Sequence, residues 1–308
     1  MKYEKWLNEW LENYVEPTAK SRTMRRYSEI VSQHVLPSLG KYELKELNPP
    51  LIQCFITKLL KNGNLKTGEG LAVNSVNAII SVVQNSLKAA YDVGYIESYT
   101  ANRIKRPKRC EREINCFTPN EQKRIEKEIT CGDNKLFGVI LCLYSGLRIG
   151  ELLALKWEDI DFKSGILTVC RSCYDGKDKD GKYKRIEETP KTISSKREIP
   201  LPRQLLPIIR RNRKNSDSAY VVSGLKDSVS VRSYQRSFDL LQKKLNIPHR
   251  GFHSLRHTFA TRALECGMDV KTLSEILGHK SPSVTLNRYV HSLIDHKRAM
   301  MNRLGKLL

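Results

Sequence analysis

Long apolar runs are missing from this sequence. A transmembrane helix needs about 20 consecutive apolar residues. No stretch of the 308 residues comes near that length, and the mean hydropathy is -0.47. The first residues, MKYEKWLNEWLENY, include several acidic side chains and lack the basic start and apolar centre of a secretory signal peptide. We therefore predict a cytoplasmic protein with no membrane partner.

The sequence also lacks the short motifs that bind common cofactors and metals. It contains no phosphate-binding G-x-x-x-x-G-K-[ST] loop, no dinucleotide-binding G-x-G-x-x-G and no zinc-binding H-E-x-x-H. The eight cysteines are scattered, and the one C-x-x-C, from Cys170 to Cys173, has no second pair with which to build a zinc site. We predict reduced thiols, no cofactor and no metal ion.

Acidic residues are few beside the basic ones. The chain has 33 Asp and Glu against 54 Lys and Arg, which gives a formal charge of +21 and a pI near 9.7. Such a balance is typical of a protein that binds a polyanion such as nucleic acid, although a cationic surface can also serve solubility alone. The length favours two domains.

Residues 1–102 have the apolar spacing of an all-helical unit. Trp6 and Trp10 recur one helical turn apart, and further helices are predicted over 21–35, 50–60 and 73–92. The unit contains no catalytic constellation. Its candidate phosphate contacts lie on the second helix and are Arg22, Arg25 and Arg26. A solvated cationic face has the same pattern and is the alternative.

A strongly basic segment, 103–113, follows this unit. Pro107 prevents it from forming a helix. We interpret it as an extended linker that lies along a DNA backbone, with a plain solvated linker as the alternative. Its candidate DNA contacts are Arg103, Lys105, Arg106, Lys108 and Arg109.

Residues 114–308 mix helices with short strands. Thr118, Pro119 and Glu121 form the start signal of a helix. Strands are predicted over 166–171, 185–189 and 196–201, with a turn-rich polar excursion over 175–184. Helices are predicted over 135–144, 202–213, 231–245, 253–266, 270–277, 283–289 and 292–304. The predicted fold class is mainly α with a small antiparallel β-sheet, in two domains.

An arginine lies at the edge of an apolar helix in the stretch SGLRIGELL, which begins at Ser145. Burying the guanidinium of Arg148 costs free energy unless an anion or a carboxylate pairs with it. Glu151, one turn further on, is either a structural partner or the residue that steadies Arg148 toward a substrate phosphate.

The segment 253–291 contains the densest set of groups suited to phosphate chemistry. His253, Arg256 and His257 share one helix face by their spacing. Arg and His donate hydrogen bonds to phosphate oxygens, and Tyr289 downstream is a possible nucleophile. The alternatives are an ordinary surface helix and a metallohydrolase site formed by His253, His257 and His279, near which no carboxylate lies in sequence.

Five motifs together resemble those of the tyrosine recombinases, also called the phage integrase family. They are SGLRIGELL, TPKTISSKREIPL, HSLRHTFAT, LGH and NRYVH, which begin at Ser145, Thr189, His253, Leu277 and Asn287 in the family's order and spacing. These motifs cover the C-terminal two-thirds of the chain, whereas the helical unit resembles the family's core-DNA-binding domain only in pattern. The resemblance implies a helical core-DNA-binding domain, a basic linker and a mixed α+β catalytic domain over 1–102, 103–113 and 114–308.

The resemblance also implies a role for each matching residue. Arg148 and Arg256 would clamp the scissile phosphate and neutralise charge on the pentacoordinate transition state. His253 would assist proton transfer and phosphate binding, and His279 would hydrogen-bond a non-bridging oxygen. Tyr289 would attack the phosphorus and form a 3′-phosphotyrosyl link.

A lysine would complete this set by protonating the leaving 5′ oxygen. The position that matches the family is Lys191. Because the preceding excursion is longer than a minimal hairpin, Lys184 and Lys196 are the alternatives.

The implied function is site-specific DNA recombination through a Holliday junction, without metal or ATP, by the integrase of a mobile element. The implied partners are double-stranded recombination sites, three further copies of the chain in a synaptic tetramer, and accessory DNA-bending or excision factors at the nucleoid. The tail, 292–308, would dock on a neighbouring subunit or close its own core. A catalytically silent DNA-binding protein of the same fold, a resolvase or invertase, and a relaxing topoisomerase are the alternatives.

Overall fold

The structure of the chain is a computed structural model, and it describes residues 1–108, 115–131, 134–177, 183–188, 196–223, 229–279, 281–289, 298, 301–302 and 305. The chain forms two compact units, Met1–Arg112 and Glu113–Leu308. Helices dominate both, and a small antiparallel sheet lies in the second, which confirms the predicted fold class. None of the helices in these ranges is long and apolar enough to span a bilayer.

The first unit is helical throughout. Its α-helices are α1 (Tyr3–Trp10), α2 (Ser21–Ile30), α3 (Leu36–Leu39), α4 (Pro49–Asn62) and α5 (Val73–Asp92). A π-helical turn over Leu11–Val15 continues α1, and a second over Val31–Val35 joins α2 to α3. Asn48 caps α4 by accepting a hydrogen bond from the backbone N–H of Leu51 at 3.0 Å.

The core of this unit joins α1 to α5 through one small residue. Tyr3, Trp6 and Ser86 are fully buried. The hydroxyl of Tyr3 is hydrogen-bonded to Oγ of Ser86 at 2.6 Å, and Nε1 of Trp6 donates to the carbonyl of Ser86 at 2.9 Å. Both polar atoms of the two aromatic side chains are thus satisfied inside an otherwise apolar core.

The first residues of the predicted linker pack against this helical unit. Gln53 of α4 accepts a hydrogen bond from the N–H of Lys105 at 3.0 Å and donates to its carbonyl at 3.4 Å. Asn77 of α5 donates to the carbonyl of Pro107 at 3.2 Å. The start of the linker is therefore held by side chains of α4 and α5, while residues 109–114 lie outside the described part of the chain.

The helices of the second unit are α6 (Pro119–Cys131), α7 (Phe137–Ser145), α8 (Ile149–Ala154), α9 (Leu206–Lys214), α10 (Val231–Lys244), α11 (His253–Glu265), α12 (Val270–Leu277) and α13 (Pro282–Tyr289). The predicted capping box of α6 is confirmed, because the N–H of Thr118 donates to Glu121 at 2.8 Å and the N–H of Glu121 donates back to Thr118 at 3.2 Å. Helix α9 begins later than predicted, since Pro207 occupies its first turn, where the missing N–H costs no helical bond.

Two small antiparallel β-structures complete the second unit. Strands β1 (Ile160–Asp161), β2 (Ile166–Val169) and β5 (Arg197–Pro200) pair in the order β1-β2-β5, and β3 (Ser172–Lys177) pairs with β4 (Tyr183–Glu188). The prediction of a turn-rich excursion over 175–184 is wrong at both ends, because residues 175–177 and 183–184 pair as strand, whereas residues 178–182 lie outside the described part of the chain. Asp175 is tied further into the unit, since its carboxylate accepts from the N–H groups of Val231 and Arg232 at 3.1 and 3.0 Å and so caps α10.

Candidate active site

The buried helix α7 ends at the first element of the site. Gly146 follows it with φ of 65°, a left-handed conformation that glycine adopts without strain. A Cβ at this position would lie 2.6 Å from Phe259 and 2.8 Å from Leu277, so a larger residue would displace both. The carbonyl of Gly146 accepts a hydrogen bond from Nη1 of Arg256 at 2.7 Å. The end of α7 therefore holds an arginine of α11.

Arg148 caps the next helix, α8, in company with Glu151. The backbone N–H of Arg148 donates to Oε2 of Glu151 at 2.9 Å, and its Nη1 donates to Oε1 at 2.8 Å. The predicted pairing of the two residues is present. The side chain of Arg148 is 40% exposed and that of Glu151 is 7% exposed. A guanidinium with a buried carboxylate behind it and solvent in front can bind an external anion.

Glu151 has a second partner, which the sequence analysis did not identify. Arg197 of β5 donates from Nη1 to Oε1 at 3.0 Å and from Nη2 to Oε2 at 2.8 Å, and its own side chain is 6% exposed. Burial by itself would raise the pKa of Glu151, but the hydrogen bonds and charge of Arg197, followed by those of Arg148, lower it to about 2. The available signal was an arginine within a predicted strand of the TPKTISSKREIPL motif.

Helix α12 ends in a Schellman motif at Gly278, which has φ of 62°. The N–H of His279 donates to the carbonyl of Ser274, and the N–H of Gly278 to that of Glu275, both at 3.0 Å. This leaves the last carbonyl oxygens of the helix without intrahelical donors, where the helix dipole favours cations.

Three arginines donate hydrogen bonds to carbonyl oxygens at this end of the helix. Each binds a different one: Nε of Arg197 donates to Ile276 at 2.6 Å, Nη2 of Arg256 to Leu277 at 2.5 Å, and Nη2 of Arg148 to Gly278 at 3.4 Å. The turn over 276–278 thus brings together arginines that lie on β5, on α11 and before α8. We call this turn and its three arginines the arginine cluster.

His279 extends the cluster toward α13. Its Nδ1 is 2.8 Å from Oγ1 of Thr285, which is fully buried. This contact engages Nδ1 of the ring. If Thr285 donates, Nε2 carries the proton and is a donor.

Helix α11 carries the other candidate histidines beside Arg256. The rings of His253 and His257 are in edge-to-face contact with centroids 4.6 Å apart. His253 is exposed and His257 is half-buried, whereas Arg256 is only 2% exposed. The structure therefore places His253 one helical turn from Arg256 and at the surface.

Two sequence-predicted residues lie wholly or partly outside the described residues. Lys191 lies outside the described residues, and so does the side chain of Tyr289, whose backbone ends α13. Of the alternative lysines, Lys184 is exposed on β4, and Lys196 is exposed immediately before β5, next to Arg197.

The candidate DNA contacts lie at the surface of the first unit. Arg22, Arg25 and Arg26 are exposed on α2, and Arg25 pairs with Glu29 at 2.9 Å. The exposed linker candidates are Arg103, Lys105, Arg106 and Lys108, while Arg109 lies outside the described residues.

Metal-ligating side chains are not clustered within the described ranges. These ranges contain no group of three or more His, Cys, Asp or Glu side chains arranged to hold a metal ion. Cys170 and Cys173 are both unpaired thiols, and burial raises the pKa of each. Cys170 donates to Oδ1 of Asp159 at 3.2 Å, and Cys173 is buried in β3.

Comparison with known proteins identifies the family. The profile described as the phage integrase family matches residues 117–296, and that of the N-terminal SAM-like domain of phage integrases matches residues 2–60. The chain belongs to the phage integrase family. A tyrosine recombinase XerC-like protein of Caldanaerobacter subterraneus subsp. tengcongensis is 30% identical over 98% of this chain and 82% of its own length. The chain is accordingly a site-specific recombinase of the tyrosine type.

Solved integrase structures share the fold. The Tn1549 transposon integrase in complex with transposon right end DNA superposes with a TM-score of 0.82 at 21% identity, over 99% of this chain and all of that one. A lambda integrase tetramer bound to a Holliday junction gives a TM-score of 0.69 at 19% identity, over 92% and 79% of the two chains. Both units of the present integrase therefore follow the integrase architecture.

Proposed function

We propose that this integrase cuts and rejoins the double-stranded DNA ends of a mobile element, using Tyr289 as nucleophile and the arginine cluster to bind the scissile phosphate. The observation that carries the proposal is the convergence of Arg148, Arg256 and His279 at one turn of α12. Three cationic or polar donors from separate elements at one point suit a phosphate in the act of substitution.

The first chemical step is an exchange of phosphate esters. The hydroxyl oxygen of Tyr289 attacks the phosphorus and loses its proton, and the bond to the 5′ oxygen breaks. The leaving 5′ oxygen takes up a proton from Lys191, so the products are a 3′-phosphotyrosine and a 5′ hydroxyl. Arg148 and Arg256 neutralise the added charge on the non-bridging oxygens, His279 donates a further hydrogen bond, and His253 assists proton transfer.

The second step reverses the first with a different strand. The 5′ hydroxyl of the partner duplex attacks the phosphotyrosine and releases Tyr289. Because the phosphotyrosine keeps the energy of the original ester, neither ATP nor another activated group is needed. One round of exchange gives a Holliday junction, and a second round resolves it.

Access to Arg256 requires a rearrangement on DNA binding. Its guanidinium is buried between the carbonyls of Gly146 and Leu277, with 2% of the residue exposed. A phosphate can reach this guanidinium only when the groups packed around it move. Arg148, at 40% exposure, is the arginine that an approaching phosphate meets first.

The helical unit would hold the duplex as a core-DNA-binding domain over 1–102. Exposed arginines of α2 and the basic linker over 103–113 supply sequence-independent contacts to the DNA backbone, and 114–308 forms the catalytic domain. Four copies would assemble on two recombination sites, joined by the tail over 292–308, with accessory DNA-bending or excision factors that direct the outcome. The nucleoid of the cytoplasm is the place of action. The lambda integrase tetramer on a Holliday junction supports the fourfold assembly by likeness of fold.

The test is a suicide-substrate assay in EDTA. A nicked duplex that carries the element's own end releases a short strand after cleavage, so the covalent complex accumulates. We expect a covalent protein–DNA complex with the wild type and none with Tyr289→Phe. Complex from both proteins would place the nucleophile elsewhere, and tight binding without complex from either would establish a catalytically silent DNA binder.

The same reagents separate recombination from relaxation. An integrase, resolvase or invertase cleaves only its defined site and transfers the strand to a second duplex, whereas a relaxing topoisomerase rejoins the original strand at many sequences. We expect cleavage to be lost when the element's end is replaced by a scrambled sequence of equal length.

A further inference from the structure

Arg197 lies at the centre of the arginine cluster although its motif assigns it no part in the reaction. It faces inward from β5, opposite Val169 of β2, and its side chain is 6% exposed. All three of its guanidinium nitrogens are used: two bind the carboxylate of Glu151, and Nε donates to the carbonyl of Ile276 at 2.6 Å. It therefore connects the residue behind Arg148 to the turn that precedes His279.

The charges of the cluster explain why a second arginine is useful there. Glu151 orients Arg148, but a carboxylate paired with Arg148 alone would also cancel its positive charge. Arg197 binds both oxygens of the same carboxylate, so two guanidinium groups share one negative charge and the trio keeps a net charge of +1. Since Arg197 is buried and Arg148 is 40% exposed, the uncompensated charge faces the solvent at Arg148.

Arg197 supports the turn over 276–278 in addition to balancing the charge of Glu151. Its Nε holds Ile276, two residues before Gly278, whose carbonyl receives Arg148. A Cβ built on Gly278 would lie 3.0 Å from Cδ and 3.1 Å from Nη1 of Arg197, so the side chain packs directly under the turn. Loss of the guanidinium would leave both the turn and Glu151 without this support.

We propose that Arg197 is a positioning residue of the recombinase: it compensates the charge of Glu151 and fixes the turn over 276–278, so that Arg148 presents a full positive charge to the scissile phosphate. The inference rests on the proposed role of Arg148 in binding that phosphate. Arg197 itself, buried behind Glu151, does not touch the DNA.

The test uses the full chain in single-turnover strand cleavage of a nicked duplex. Arg197→Met keeps much of the side-chain volume and removes the charge and all the hydrogen bonds. We expect DNA affinity within about twofold of wild type and a cleavage rate lower by about 100-fold, the order of loss that a misplacement of about 1 Å causes. Arg197→Lys, which restores the charge but not the bidentate geometry, should recover part of the rate.

A neutral scissile group separates positioning from folding. In a methylphosphonate duplex, a methyl group replaces one non-bridging oxygen and removes the negative charge that Arg148 must meet. If Arg197 acts through Arg148, the defects of Arg148→Ala and Arg197→Met should both shrink to within about tenfold of wild type on this substrate. The double variant should cleave the ordinary phosphodiester no more slowly than Arg148→Ala alone.

The matched control is Arg171→Met. Arg171 donates to both carboxylate oxygens of Asp159, at 2.7 and 2.6 Å, and takes no part in the arginine cluster. We therefore expect its loss to remove a bidentate ion pair and to leave cleavage unchanged. The inference would be overturned if Arg197→Met slowed cleavage of the phosphodiester and of the methylphosphonate equally. It would also be overturned if the rate losses of Arg148→Ala and Arg197→Met multiplied in the double variant. If Arg197→Met does not fold, Arg197→Lys is tested alone by the same two criteria. Wild-type cleavage by Arg148→Ala would instead overturn the proposed function.

Discussion

The two units of this integrase bury different kinds of side chain. In the first, the buried polar residues within the described ranges are Asn77 and Ser86, which are neutral. In the second, Glu151, Arg197 and Arg256 are buried with their charges. Taking an ion out of water costs several kcal/mol even in a real protein interior, and a hydrophobic replacement is often as stable.

The difference shows what each unit has to do. The first unit can stabilise itself by apolar packing because its candidate DNA contacts are surface arginines that need only a rigid support. In the proposed mechanism, the second unit keeps Glu151 and Arg197 inside because they hold Arg148 in one fixed arrangement toward the phosphate. Buried charge therefore marks the part of the chain where geometry matters more than stability.

The largest effect should come from removing the carboxylate of the cluster. Glu151→Ala leaves Arg197 buried without its counter-charge, so we expect the second unit to lose about 3–5 kcal/mol of unfolding free energy. Hydrogen exchange followed by mass spectrometry shows which unit is destabilised, and the exchange rates of peptides from the first unit should be unchanged. Glu198→Ala, at the exposed neighbouring position of β5, is the control. A loss below about 1 kcal/mol would mean that the buried charges are not what distinguishes the second unit.

Lowering the pH should protonate the same carboxylate, that of Glu151, and destabilise the second unit. Because the folded-state pKa of Glu151 is about 2 against an ordinary value of 4.5, its ionised form stabilises the folded state above pH 4.5, and this contribution is lost as the pH falls toward 2. We expect about 3 kcal/mol of stability to disappear from the second unit across that window. Chemical denaturation at a series of pH values measures it. Glu151→Gln, which cannot titrate, should flatten that part of the profile, and an unchanged slope would contradict the assignment.

The smallest effect should come from the polar contact in the first unit. Ser86→Ala removes the partner of the buried Tyr3 hydroxyl, and we expect a loss of about 1–3 kcal/mol, confined to this unit. Adding Tyr3→Phe removes the unsatisfied hydroxyl as well and should restore part of the loss. If the double variant is less stable by the sum of both single changes, the contact is not the coupled pair that the distance indicates.

Local signals in the sequence were sufficient for much of the fold. The capping box of Thr118 and Glu121 and the apolar helix α7 depend on neighbours within a few residues, and both are present. The two ends of the excursion, 175–177 and 183–184, were misjudged because aspartate, glycine and lysine disfavour a strand locally. Pairing of β3 with β4, and the cap that Asp175 supplies to α10, outweigh that preference.

The candidate site also contains residues that the sequence indicated and one that only the structure revealed. The resemblance to the tyrosine recombinases assigned Arg148, Arg256 and His279 to one site, and the structure brings them to a common turn. The resemblance did not assign Arg197, and the sequence pattern did not indicate it either, since an arginine in a strand usually faces solvent. Its inward direction follows from the pairing of β5 with β2.

The sequence by itself determined the charge of this protein, its helical content, its family and the order of its motifs, because these depend on composition and on near neighbours. Only the tertiary structure decided which charges are buried and which carbonyl each arginine binds. In the arginine cluster those contacts join residues up to 130 positions apart, as between Arg148 and Gly278. They arise when separate helices and strands pack and desolvate their charged groups together, which no local pattern encodes.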